Sequence, residues 1–142
     1  MEETWKPIPG FEGLYDASNL GRIRSVKRSA RIGSNIRIII ERILIPHEHY
    51  RGYLRVDLCK NGKNNHKFVH RLVAETFIPN PRIEPVVNHM DCNKKNNSVS
   101  NLEWTSYSGN TQYHYAAVAA KKRAILPVID ITADEVLAAA FG

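Results

Sequence analysis

The sequence predicts an α+β protein, in which a small antiparallel β-sheet or ribbon precedes a strand, loop, strand and helix unit. Three observations carry this. Leu54, Val56 and Leu58 alternate with Arg55 and Asp57, the period of a half-buried strand. The period then lengthens over residues 70–78, where Leu72, Val73 and Phe77 suit a short helix stopped by Pro79 and Pro81. Last, the apolar pair Val86-Val87 and the stretch Leu102–Thr105 flank a polar loop rich in Asn and Lys, and a helical pattern with several alanines follows.

Taken in order, Leu14–Ser18 and Arg22–Val26 read as two short strands joined by a bend at Asn19-Leu20-Gly21, where Asn and Gly tolerate the positive φ of a tight turn. Basic residues gather from there: Arg22, Arg24, Lys27, Arg28 and Arg31. Residues 36–69 read as a β-meander. The branched run Ile36–Ile45 opens it, Tyr53–Leu58 forms a strand, Asn61-Gly62 turns, and Lys67-Phe68-Val69 returns as the partner strand. After the short helix come Val86-Val87, the loop from Asp91 to Ser100, the strand Leu102–Thr105 and a helix from about Ser106 to Lys122. Beyond the basic cluster Lys121-Lys122-Arg123, residues 125–131 suit a strand interrupted by Pro127. Thr132 and Glu135 form a capping-box pattern that opens a last helix, Ala133 to Phe141.

Composition narrows the function. The 142 residues fit one compact domain or two small modules, and 43% hydrophobic with 24% charged residues is an ordinary globular balance. A net charge of +6 suits a polyanion partner. Cys59 and Cys92 stand far apart with no Cys-x-x-Cys, which argues against a zinc ribbon and a disulfide scaffold. His47 and His49 lack the acidic or cysteine partners of a structural tetrahedral site. No apolar stretch approaches the roughly 20 residues that span a bilayer, and Met1–Trp5 does not resemble a signal peptide. The expected setting is intracellular and reducing, with no membrane partner.

Phosphodiester hydrolysis needs a base for water near neutral pH and a cation for the charge that develops on the phosphate and the leaving 3′ oxygen. Histidine suits the first task, and a divalent metal with oxygen ligands the second. Asn88-His89 closes the first strand of the last unit. Asn110 and His114 lie four residues apart on its helix and share a face. An amide and an imidazole can thus meet Asn88-His89 at one pocket.

The stretches His70–Pro81, Val87-Asn88-His89-Met90-Asp91, Asn93–Asn97, Asn101–Thr105 and Asn110 resemble the HNH nuclease domain of phage and intron-encoded homing endonucleases. Trp5–Tyr15 and Ser18–Ser25 resemble the short module that often precedes that domain. The resemblance covers about residues 4–115. It implies a ββα-metal (His-Me finger) nuclease unit with its core at 86–120, inside an HNH domain of residues 51–120. A DNA-binding β module at 1–50 would precede it, and a packing element at 121–142 would follow. It implies His89 as general base, Asn88 and Asn110 as metal ligands, and Asn101 as the brace of the ββα loop that helps orient the histidine. His114 would bind metal or phosphate, and His70 would be structural. The activity implied is a magnesium-dependent (or manganese-dependent) endonuclease acting on double-stranded DNA, as a monomer or homodimer, in the bacterial host cytoplasm if phage-encoded. No carboxylate falls among these ligands. Asp91 is the nearby acid that could help, and metal is expected to bind well only beside DNA phosphate. Arg22, Arg24, Lys27, Arg28, Lys94 and Lys95 would hold the duplex, chiefly through phosphates.

Two other readings stay open on the sequence. One is an inactive DNA-binding protein with an HNH-like fold. The other is an RNA-binding module that stacks bases on Tyr15, Tyr53 and Phe68.

Overall fold

A computed structural model describes residues 1–125. The readings of a strand over 126–131 and of a helix from Ala133 to Phe141 lie outside the described residues. Among the described residues, short antiparallel strands combine with two α-helices. No helix among the described residues is long and apolar enough to cross a membrane.

The first sheet joins β1 (Trp5–Pro7), β2 (Tyr15–Ser18) and β3 (Ile23–Ser25). The bend between β2 and β3 holds Gly21 at φ +90°, a conformation open to glycine. The chain then leaves the sheet as a hairpin, β4 (Arg28–Ile32) with β5 (Asn35–Ile39), turning at Gly33. It re-enters through β6 (Arg42–Ile43), which pairs with β3. The Ser25 hydroxyl secures the return by donating to the Ile40 carbonyl at 2.9 Å.

This differs from a single branched strand over residues 36–45. The isoleucines divide between two sheets, and Ile36, Ile38 and Ile40 face solvent. The strand Arg28–Ile32 was not expected, because neither face of its hairpin is buried and no alternation marks it.

The three-stranded sheet is β7 (His47–Glu48), β8 (Leu54–Lys60) and β9 (Lys63–Phe68). Val56 and Leu58 point into the core, as their alternation implies, and Asn61-Gly62 makes the β8–β9 turn with both φ angles positive. Val69 begins α1 (Val69–Phe77) rather than ending the strand. Val69, Leu72, Val73 and Ala74 form the buried face of α1. Pro79 follows the last helical bond, from Ile78 N to Ala74 O.

β10 (Val86–His89) pairs with β11 (Leu102–Thr105), with a 3₁₀ turn at Val99–Asn101 just before β11. α2 (Tyr107–Ile125) follows, so Ile125 ends a helix and does not open a strand. Ser106 caps α2, its Oγ accepting the Gly109 N–H at 3.0 Å.

One core runs through these pieces. Ile8, just after β1, and Tyr15 and Ile23 from the first sheet pack with Val56, Leu72, Val87 and Leu102. The Tyr15 hydroxyl accepts the Cys59 N–H at 2.9 Å. Tyr15 is therefore a core residue and offers no exposed ring for base stacking.

Candidate functional site

Asn88, His89, Cys92, Lys94, Asn110 and His114 line one cleft of about 480 Å³, and His70 and Tyr53 form another part of its wall. The elements deliver these side chains from three directions. β10 ends at Asn88-His89, the loop after it supplies Cys92 and Lys94, and α2 supplies Asn110 and His114 from one face. Tyr113, next to His114, ties α2 to that loop by donating its hydroxyl proton to the Met90 carbonyl.

Asn88 is 2% exposed. Its Nδ2 donates to Glu103 Oε1 at 2.9 Å, from the residue directly opposite it in the β10–β11 register. This bond sets which end of the amide is which. The amine faces Glu103, and Oδ1 is left buried with no hydrogen-bond partner. Asn110 Oδ1 is likewise buried and unpartnered. A buried polar atom without a partner costs about 1–3 kcal/mol. Two such oxygens in the wall of one cleft are what a hard cation's ligands look like before the cation arrives. Glu103 adds the negative charge that the two amides lack.

His89 is also buried. Its Nε2 donates to Asn97 Oδ1 at 2.8 Å. In neutral imidazole that bond puts the proton on Nε2 and leaves Nδ1 as the basic atom. Desolvation lowers the His89 pKa below the usual histidine value. The Asn97 bond and Asp91 pull it up, while Lys94 and His114 push it down. The imidazole is therefore neutral near pH 7.

Asn101 directs its side-chain hydrogen bonds to the loop and not to His89. Its amide closes the loop: Oδ1 accepts the Asp91 N–H at 2.9 Å, and Nδ2 donates to Asp91 Oδ1 at 2.8 Å and to the Asn96 carbonyl at 2.9 Å. Asp91 also accepts from the Asn93 N–H and from Asn96 Nδ2, each at 2.8 Å. These donors, that of Asn96 first, hold its carboxyl below the usual range. Asp91 is thus spent on the loop rather than offered to the cleft.

His70 stands beside His89, with ring centroids 5.1 Å apart, and lies near Tyr53 at 5.0 Å and Phe68 at 5.5 Å. Its Nδ1 is buried without a partner. Burial, followed by the charges of His89 and Arg71, lowers its pKa to about 3. It is a neutral ring at any physiological pH.

The basic residues are dispersed. Arg22 pairs with Glu3. Arg24 pairs with Asp16 at 3.0 Å and Glu41 at 3.3 Å, and lies 4.3 Å over the Trp5 ring. Arg28 donates to the Leu14 carbonyl at 2.8 Å and packs over Tyr15. Lys95 pairs with Glu48 at 3.1 Å. Lys94 donates to the Arg51 carbonyl at 2.8 Å, lies over Tyr53, and is alone of the six in the cleft wall. Lys27 is exposed with no ion pair among the described residues, as are Arg31 and Arg37 on the β4–β5 hairpin.

Sequence reasoning missed Asn97 and Glu103. Asn97 is one of several asparagines in a polar loop, and nothing in its spacing marks it. Glu103 is visible once β10 and β11 are paired, because the register places it opposite Asn88.

The NUMOD4 motif profile matches residues 3–59, and an HNH endonuclease profile matches residues 67–112. An uncharacterised HNH endonuclease of Acanthamoeba polyphaga mimivirus is 40% identical over 113 residues, which is 80% of this chain and 30% of that protein. The DNA endonuclease I-HmuI of Bacillus phage SP01 is 37% identical over 108 residues, 76% of this chain and 55% of that protein. The solved structure of the HNH homing endonuclease I-HmuI superposes with a TM-score of 0.62 at 35% identity, covering 90% of this chain and 62% of the other. The chain thus spans about half or less of the length of the curated relatives it matches. The chain therefore carries an HNH endonuclease domain behind a NUMOD4 motif and is homologous to I-HmuI.

Proposed function

We propose that this chain is a divalent-metal-dependent endonuclease that hydrolyses phosphodiester bonds of double-stranded DNA. The observation that carries it is that His89 and the two residues whose amide oxygens are buried without partners, Asn88 and Asn110, line one cleft. An inactive DNA-binding protein would have no use for those two buried oxygens. I-HmuI, named as a DNA endonuclease and described in its structure as binding and cleaving DNA, supports the same reading.

In this mechanism His89 Nδ1 takes a proton from water, and the water oxygen attacks phosphorus in line with the leaving 3′ oxygen. Asn97 holds the ring and keeps Nε2 protonated. Asn88 and Asn110 would hold the cation, Mg²⁺ or Mn²⁺, with Glu103 setting the Asn88 amide, DNA phosphate completing the shell, and His114 within reach on the same helix face. The bound cation supplies Lewis-acid neutralisation of the phosphate and the departing oxygen. Lys94, in the cleft wall, would meet a phosphate close to the cut. Lys27, Arg31 and Arg37 are exposed, make no ion pair among the described residues, and would contact phosphates away from the cut. Arg22, Arg24, Arg28 and Lys95 would first have to exchange a protein partner for phosphate. A single cleft of this kind would cut one strand per binding event, and a pair of chains would cut both together.

The test is plasmid relaxation with Mg²⁺ or Mn²⁺, with EDTA, and with His89→Ala in parallel. Metal-dependent nicking or linearisation that the variant loses while it still binds DNA is the expected result. Loss of binding together with cleavage would make His89 structural. An unchanged Mg²⁺ requirement in Asn110→Ala would remove that residue from the ligand set.

A further inference from the structure

Cys92 is a cysteine where the backbone favours glycine. Its φ is +61°, in the left-handed region, where a side chain costs roughly 1–2 kcal/mol. The turn that imposes this runs from the His89 carbonyl, which accepts the Cys92 N–H at 2.9 Å. The result is that the half-exposed Cys92 thiol lies in the cleft wall, its Sγ 3.9 Å from His114 Nδ1.

That separation is close to a metal-binding span. With zinc bonds of about 2.3 Å to sulfur and 2.0–2.1 Å to nitrogen at a tetrahedral angle, the two ligand atoms stand about 3.6 Å apart. A shift of about 0.3 Å, well within the freedom of an exposed imidazole, brings Cys92 and His114 to it. A third donor is on the same helix face: Asn110, four residues before His114, with its Oδ1 unpartnered. Independently of the thiol, Asn88, 98% buried in the same wall, also presents an amide oxygen with no partner. Among the described residues no group of three or more His, Cys, Asp and Glu side chains is placed to hold a metal. The site is therefore a two-point clamp of sulfur and nitrogen, completed by amide oxygen and water.

We propose that Cys92 and His114 form a binding site for a thiophilic divalent cation of the Zn²⁺ and Cd²⁺ class, beside the place assigned to the hard cation. Hard Mg²⁺ has little affinity for sulfur, whereas soft thiolate and imidazole select Zn²⁺ and its heavier congener. Binding replaces the thiol S–H bond by a sulfur–metal bond and releases the proton to solvent. The bound ion draws on Asn110 and so competes with the hard ion for it. That consequence rests on the endonuclease reading; the site itself does not.

The test is titration of the full chain with Cd²⁺, without DNA, followed by the ultraviolet thiolate-to-metal band and by calorimetry. The expected result is one Cd²⁺ per chain, with a band that survives Cys59→Ser and an excess of Mg²⁺ and is absent in Cys92→Gly. Because glycine suits φ +61°, Cys92→Gly should melt at or above the parent temperature, which separates loss of binding from loss of fold. His114→Ala should weaken binding by more than about tenfold, since even residues that only support a ligand are worth that much. A band that follows Cys59, persists in Cys92→Gly, or keeps its midpoint in His114→Ala overturns the site. None of these readouts needs cleavage, so a chain that binds Cd²⁺ here yet cuts no DNA would sink the endonuclease reading and leave this one standing.

Discussion

Gly21 rests directly on Asn97: a Cβ built on Gly21 would stand 2.7 Å from the Asn97 carbonyl carbon and 2.9 Å from its Cβ. The surrounding bonds tighten the contact. The Val99 N–H donates to the Asn19 carbonyl at 2.9 Å, so the β2–β3 bend and the residues that carry Asn97 form one seam. Asn97 in turn holds His89. The N-terminal sheet thus reaches His89, the proposed base, through a glycine. Gly21→Ala should destabilise the fold by at least about 1–2 kcal/mol from its φ alone. By displacing Asn97 it should also lower kcat by up to about a hundredfold, the usual cost of a 1 Å misplacement. Thermal melting and single-turnover cleavage measure the two effects, and a variant with full activity would show that Asn97 tolerates the intrusion.

Glu103 makes a separable prediction. Its carboxylate orients Asn88 and contributes the negative charge nearest the amide pair. Glu103→Gln keeps an acceptor for Asn88 Nδ2 and loses only charge; Glu103→Ala loses both. The Mg²⁺ concentration for half-maximal cleavage should rise modestly in the first and by about 10–100-fold in the second, as when the support of a metal ligand is removed. Equal Mg²⁺ curves for all three proteins would mean that the orientation of Asn88 is immaterial.

The parts of this architecture that could be read from the chain are those in which one face is buried. Val56 and Leu58 show their strand because their neighbours are polar. α1 shows its helix because Leu72 and Val73 must meet the core while Pro79 ends the turn. The β4–β5 hairpin gives no such signal. Ile36 and Ile38 have the composition of a core strand but are 71% and 65% exposed, so periodicity misleads there. At the site, His89, Asn88 and Asn110 were accessible through motif and spacing. The fate of the arginines was not. Arg24 meets Asp16 and Glu41 only after β2, β3 and β6 have been brought side by side. Ion pairing across a sheet depends on strand order, which local sequence does not encode. The same holds for Asn97, selected from a run of asparagines by where Gly21 presses.

The acidic limb of the pH profile should report His89. The base acts only when unprotonated, and desolvation lowers its pKa beneath 6.5, so cleavage should persist to a lower pH than a free histidine would allow. A bound divalent cation acts in the same direction. Asn97→Asp places a carboxylate on Nε2, favours the imidazolium and should move the limb to higher pH by about one unit or more. Activity near pH 6 then falls while activity near pH 8 is largely kept. A limb that does not move in Asn97→Asp would mean that another group is the base.

His70 should govern how stability depends on pH. Its pKa in the folded chain is about 3, against 6.5 for an unburied histidine. Above pH 6.5 the ring is neutral in both states and contributes no pH dependence. As pH falls below 6.5 the unfolded chain takes up a proton that the folded chain refuses, so stability declines by about 1.4 kcal/mol per pH unit. The decline continues until pH nears 3, where the folded ring protonates too. Asp57, Asp91 and Glu3, whose pKa values are also lowered, add losses of the same sign, but only once the pH falls through the carboxylate range. The interval from pH 6.5 to 5 therefore isolates histidine. His70→Phe substitutes a ring that suits Tyr53 and Phe68 and removes the unpartnered Nδ1. Urea unfolding should find the variant at least as stable as the parent at pH 7.5 and progressively more so toward pH 5. Parallel curves for the two proteins would show that His70 takes up its proton in the folded chain as readily as in the unfolded one, and that the cleft admits water as far as Nδ1.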